Sequence, residues 1–271
     1  MTDMQSGYLE ANSARLYYET AGAGHPLVFV HAGIADGRMW DYQFQRFADR
    51  YRVLRFDMRG FGRSDAPPGP ASTSGDLAAV LDSFDIEKTY LVGCSMGGSA
   101  TLDYTLDHPD RVDALILVGA GVSGLEPEGV AQPPYEEVST AAKAGDLDLA
   151  NELEMRIWVD GVGRAPDQVD PAVRSKVSAM NRALYDRDAE INAIEWQEPS
   201  QPAAGRLEQL RVPTLVIVGD RDQPVIAASA QTLAARVPGA RLVMMPNTAH
   251  VPNMEQPEEF NRIVLDFLSS L

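Results

Sequence analysis

Six short apolar runs constrain the chain most: LVFV at 27–30, VLRF at 53–56, YLV at 90–92, ALILV at 114–118, LVIV at 215–218 and LVMM at 242–245. Each is too short for a helix, most are rich in β-branched residues, and they end near Gly, Asp, His or Pro, so they read as buried strands. Runs that are apolar on both faces belong to a parallel sheet covered by helices. Between them, residues 38–49, 75–85, 96–107, 225–237 and 255–270 fit amphipathic helices. The last opens with EQPEEF, acidic residues that suit the positive end of a helix dipole. YLEANSARLYYET reads as two strands around Asn12-Ser13. Strands first and then strand–helix alternation predict a mainly parallel sheet with helices on both sides.

One stretch breaks the alternation. From about 124 to 205 no buried strand is expected, and EEVSTAAKAG, LDLANELEMRIWVDG and PAVRSKVSAMNRALYDRD read as helices. The simplest organisation is a core domain of residues 1–123 and 206–271, interrupted by a helical cap at 124–205. Such a cap is either a lid over a pocket or packing decoration. Met155, Trp158 and Trp196 are candidate substrate-lining side chains, although amphipathic helices also place such residues in a core.

At 271 residues the chain is long enough to bury a large core in one α/β domain. Its formal net charge of −16 repels a phosphate backbone and anionic membranes, so neither nucleic acid nor membrane is an expected partner. The single cysteine, Cys94, excludes an intramolecular disulfide and a thiolate zinc cluster. The polar start and the lack of any apolar run of membrane-span length lead to an expectation of a cytoplasmic protein.

The stretch GCSMGG, residues 93–98, directly follows the run at 90–92. A Walker loop needs Lys-Ser or Lys-Thr after its last glycine, whereas Ser99-Ala100 follows here, and the dinucleotide pattern of glycines does not match. Gly93 and Gly97 instead flank Ser95 at the spacing of a sharp strand-to-helix turn that exposes a nucleophile. A plain glycine-rich turn is the alternative. At the start of the following helix, Met96 can offer its backbone N–H to a developing oxyanion. Cys94 is expected to point away beneath the turn.

A serine nucleophile needs a base. Of the four histidines, His25 and His108 fall at the wrong end of the sheet, and His31 reads as part of an oxyanion loop. His250, in NTAHVPNMEQPEEF, lies where a loop reaches over the carboxyl edge of the strands. An orienting carboxylate comes from Asp220 or Asp222 in LVIVGDRDQPV; either is also a natural turn former, and Asp222 lies further into the loop.

The order Ser95, Asp222, His250 resembles that of the α/β-hydrolase family. HAG at 31–33, FDMRGFGRSD at 56–65, GCSMGG, HPDRV at 108–112 and AHVPNMEQPEEF at 249–260 are family-like and in family order. The resemblance implies a mainly parallel eight-stranded sheet with a helical cap, a catalytic Ser95–Asp222–His250 set, Gly33 as second oxyanion donor beside Met96, and no cofactor or metal. It gives Asp57, Arg59 and His108 structural roles. One departure is Ala32, where the family usually has Gly. The implied activity is hydrolysis of a small carboxylic ester or a lactone, including enol-lactones and N-acyl-homoserine lactones. Asp-nucleophile dehalogenases and epoxide hydrolases are disfavoured by Ser95, and carbon–carbon bond hydrolases by the glycine-poorer loop HAGIADG. Cofactor-free haloperoxidase or perhydrolase activity uses the same residues. A ligand-sensing or stress-signalling module on this fold is the alternative of another class.

Overall fold

The computed structural model describes residues 4–271. Strands β1 (Gln5–Ala11) and β2 (Ala14–Ala21) open the chain, followed by β3 (Pro26–Val30), α1 (Asp41–Phe47), β4 (Arg52–Phe56), β5 (Gly69–Ala71) and α2 (Thr73–Ser83). Then come β6 (Thr89–Cys94), α3 (Met96–Asp107) and β7 (Val112–Val118). Helices α4 (Tyr135–Lys143), α5 (Leu147–Met155), α6 (Pro171–Tyr185) and α7 (Asp188–Ile191) precede β8 (Ile194–Trp196). The chain ends with β9 (Thr214–Gly219), α8 (Pro224–Arg236), β10 (Arg241–Met245), α9 (Pro252–Glu255) and α10 (Pro257–Ser269).

Eight strands form one sheet in the order β1-β2-β4-β3-β6-β7-β9-β10. The first two are an antiparallel hairpin whose turn residues, Asn12 and Ser13, have φ of 47° and 67°. Left-handed residues at both turn positions match the twist of the flanking strands. β2 meets β4 antiparallel, and every pairing from β4 to β10 is parallel. The predicted apolar runs lie in these strands, but the last is not buried as expected: β10 is an edge strand, and its Leu242 and Met244 are exposed. Residues such as Val28, Phe29, Leu91, Val92, Ile116 and Val216 are fully buried because helices cover the sheet. Helix α3 packs on β6 and β7 and against α2, α1 packs on β4 and α10, and α8 lies on β9 and β10.

The region between β7 and β9 carries α4 to α7, as expected, but also a strand that the sequence did not suggest. β8 pairs in parallel with β5, joining Gly69–Ala71 to Ile194–Trp196. Three residues with one buried side chain leave no apolar run to read. The region is fastened elsewhere as well. Lys176 on α6 pairs with Asp41 on α1, and Arg187 donates to the carbonyls of Gly60 and Gly62.

Candidate active site

β6 ends at Cys94 and α3 begins at Met96, so the chain turns through Ser95 alone. Ser95 adopts φ 53°, ψ −114°, a region L-residues rarely occupy, at a strain of about 1–3 kcal/mol. Its N–H is held by the Val118 carbonyl at 2.9 Å. The flanking glycines allow close crossing. A Cβ on Gly97 would stand 2.5 Å from the carbonyl oxygens of Val30 and His31, and one on Gly93 would collide with Gly97 and Thr101. Cys94 is fully buried below the tip; burial, and secondarily the charge of Asp222, push its thiol pKa far up.

His250 sits in the loop between β10 and α9 and is buried. Its Nδ1 lies 2.9 Å and 3.1 Å from the two carboxylate oxygens of Asp222, in the loop after β9. Asp220 has a different task. Its carboxylate accepts the Asn247 N–H at 2.7 Å and shapes the start of the histidine loop. Ser95 does not hydrogen-bond to His250 among the described residues; β7 and β9 separate their strands, but the His250 loop reaches back across the sheet edge, where its carbonyl lies 3.6 Å from Cys94 Sγ, next to Ser95. Gly119, directly after the Val118 that holds Ser95, would place a Cβ 3.1 Å from His250 Nδ1 and 3.2 Å from Asp222 Oδ2. Apo active sites are often looser than their substrate complexes.

Gly33 and Met96 come together: a Cβ on Gly33 would stand 3.8 Å from both Cβ and Sδ of Met96. Neither N–H donates to a protein acceptor among the described residues. Met96 opens α3, where the first amides lack helical partners. Ala32, the departure from the family's glycine, is buried and has no positive φ, so its Cβ is accommodated without backbone strain.

The other histidines are placed apart. His31 is fully buried, its Nε2 accepting the Met58 N–H at 2.9 Å and its Nδ1 lying 2.8 Å from the Ala32 carbonyl oxygen. Burial pushes its pKa below the ordinary value. His25 stands 3.4 Å from Asp113, and His108 is exposed beside Tyr104. Asp57 accepts N–H groups from Gly37 and Arg63, while Arg59 forms a buried pair with Asp76 at 2.8 Å.

Of the three lining candidates, Trp158 reaches the site. It lies on a π-helical turn, Arg156–Asp160, that continues α5, and its ring stacks on the His250 imidazole at 4.4 Å between centroids. Its carbonyl accepts the His250 N–H at 3.1 Å. Met155 is fully buried in the core, and Trp196 stands on β8, 38% exposed. Sequence reasoning missed three residues. Gly119 follows the ALILV run, where a strand end beside the strand leading to Ser95 was the available signal. Arg164 and Glu255 form a buried pair at 2.7 Å. Arg164 also donates to the carbonyls of Val159, Asp160 and Asn247, and Glu255 accepts the Ala249 N–H at 2.7 Å. The pair thus clamps the Trp158 turn to the histidine loop. Burial raises the Glu255 pKa, against the pull of Arg164.

No helix among the described residues is long and apolar enough to cross a membrane. The chain is 28% identical over 270 residues to the 2-hydroxy-6-oxononadienedioate/2-hydroxy-6-oxononatrienedioate hydrolase of Burkholderia vietnamiensis (strain G4 / LMG 22486), covering 96% of this chain and 92% of that one. Among solved structures it resembles a thermophilic esterase from Thermogutta terrifontis, with TM-score 0.79, 25% identity and 98% of each chain covered. It also resembles Est816, described as an N-acyl homoserine lactone degrading enzyme, with TM-score 0.76, 26% identity, and 96% of this chain and 100% of that one covered. The model of the alpha/beta hydrolase fold matches residues 25–257, most of the chain, and the protein belongs to this family.

Proposed function

We propose that the protein is a serine hydrolase cleaving small carboxylic esters or lactones through an acyl-enzyme. The observation that carries the reading is the strained Ser95 tip set beside a buried His250–Asp222 pair, with two unspent N–H groups at Gly33 and Met96. In this mechanism His250 Nε2 takes the Ser95 proton as Oγ attacks the substrate carbonyl. Asp222 holds the Nδ1–H tautomer and stabilises the imidazolium. The N–H groups of Gly33 and Met96 receive the oxyanion. His250 then protonates the departing alcohol. It next takes a proton from the water that attacks the acyl-enzyme and returns it to Ser95 Oγ as the bond to the acid breaks. In a lactone the leaving alcohol stays tethered to the acid. We further propose that residues 124–205 act as a cap on the core formed by 1–123 and 206–271. The contact of Trp158 with His250 supports that division of labour.

The test is a pre-steady-state burst with p-nitrophenyl acetate, followed by turnover on matched open-chain esters and lactones. Ser95→Ala is expected to remove the burst and to lower kcat by about 10⁶-fold while leaving the fold intact. Full activity in that variant refutes the assignment. Turnover of a lactone well above that of its open-chain counterpart would narrow the reading to a lactonase.

A further inference from the structure

Glu154 stands four residues before Trp158 on one continuous helical segment, hence about one turn away on the same face. Its carboxylate is half-buried between α5 and α6. One oxygen, Oε2, accepts from Tyr185 Oη at 2.9 Å and from the Asn181 amide. The other, Oε1, accepts no protein hydrogen bond, and no Lys or Arg pairs with Glu154, among the described residues. The cations nearby are committed elsewhere. Arg182 pairs with Asp148 and Asp186, and Arg156 and Arg174 pair with Glu152. The Tyr135 ring lies 6.1 Å from that of Trp158. Partial burial first, and then the Glu154 charge, hold the phenols of Tyr135 and Tyr185 above their ordinary pKa.

A carboxylate without a counter-ion, bordered by Tyr135, Trp158 and Tyr185, is complementary to an organic cation, since aromatic faces and carboxylates both attract positive charge. Trp158 stands between this cluster and His250, so a cation held there lies one side chain away from the proposed base. We propose that Glu154, Tyr135 and Tyr185 form a subsite for an alkylammonium group on the ester or lactone substrate. This rests on the hydrolase reading above. A dioate, by contrast, would meet Glu154 with like charge.

The test compares 2-(trimethylammonio)ethyl acetate with its uncharged isostere, 3,3-dimethylbutyl acetate, at about 0.1 M salt, where the overall charge of −16 is largely screened. The wild-type kcat/KM is expected to favour the cationic ester by about tenfold. Glu154→Gln keeps acceptors for Tyr185 and Asn181 but is expected to bring the ratio near 1. Glu87→Gln, which removes one charge from the exposed turn before β6, is expected to keep it. Equal rates for the two esters in wild type, or an unchanged ratio in Glu154→Gln, overturns the subsite. Calorimetry with tetramethylammonium on Ser95→Ala protein reads the subsite without turnover. Binding that Glu154→Gln abolishes, together with failure to cleave either ester, would keep the subsite and refute the hydrolase reading. Absence of binding overturns the subsite.

Discussion

The Trp158 ring lies against the imidazole of His250, centroids 4.4 Å apart and planes tilted by 40°. The same residue's carbonyl takes the His250 N–H. The proposed mechanism has this histidine exchange protons with two groups, which requires a fixed ring plane, and here one residue fixes ring and backbone together. Truncation to alanine removes a wall of the site as well as core packing, at a stability cost of about 3–5 kcal/mol. Trp158→Ala is therefore expected to lower kcat on p-nitrophenyl acetate by up to about 100-fold, the scale of a misplaced catalytic group. Trp158→Phe should recover most of that loss. Urea unfolding supplies the control: Val159→Ala, at a fully buried neighbour, should destabilise with a far smaller change in kcat. Equal kcat losses in the two alanine variants would reduce Trp158 to a packing residue.

Asp220 and Asp222 are two residues apart, yet they do different work. Only Asp222 lies within hydrogen-bond reach of His250, and Asp220 braces Asn247 from a more exposed position. Asp222→Asn offers Nδ1 an amide and favours the wrong tautomer, so kcat should fall by about 10⁴-fold. Asp220→Asn keeps an acceptor for the Asn247 N–H and should stay near wild-type kcat. Steady-state kinetics of both variants decide between them, and a larger loss in Asp220→Asn would reverse the assignment.

The parallel strands were legible because a strand buried on both faces must be apolar throughout, as residues 27–30 and 215–218 are. The turn at Ser95 was legible for a steric reason. Gly97 is written into the sequence by the carbonyls of Val30 and His31, which leave no room for a Cβ. Helix patterns at 124–205 were legible too, but a period of 3.6 identifies an apolar face without saying what covers it. Met155, Trp158 and Trp196 looked alike on that basis, and their surroundings proved to be core, His250 and solvent-exposed β8. The Arg164–Glu255 clamp was invisible because its partners are remote in sequence. Glu255 read as a helix-start acid, whereas α10 begins at Pro257 with Glu258 and Glu259 in its first turn.

Gly119 lies between the Ser95 turn and the His250–Asp222 pair. It has φ 49° and leaves only 3.1–3.3 Å between a notional Cβ and the His250 ring. Gly119→Ala adds about 1–2 kcal/mol of left-handed backbone strain. It also pushes the imidazole or the Asp222 carboxylate out of line. The expected result is a fall in kcat of about 10–100-fold with little change in KM, because the displaced groups act on the reacting atoms. Circular dichroism would verify the fold. Unchanged kcat in a folded variant would mean that the pair yields at no catalytic cost.

His31 gives the fold a pH dependence separate from catalysis. Burial is the largest influence on it and depresses its pKa below the ordinary 6.5, against weaker upward pulls from Asp57, the Ala32 carbonyl and Asp36. The unfolded chain takes up this proton near 6.5, while the folded protein resists it until lower pH. Between those points the unfolded state binds more protons, so stability falls as pH falls. The contribution is fully present above about 6.5 and declines below it by at most about 1.4 kcal/mol per pH unit. Asp57 acts with the opposite sign at more acid pH. Burial raises its pKa above 3.8, so the folded state gains the proton first there. Urea unfolding at pH 7.5, 6.5 and 5.5 should therefore show wild type losing stability on acidification. His31→Gln should start less stable but lose less over the same interval, since it cannot titrate. A variant with the full wild-type slope would place the origin of the acid sensitivity elsewhere.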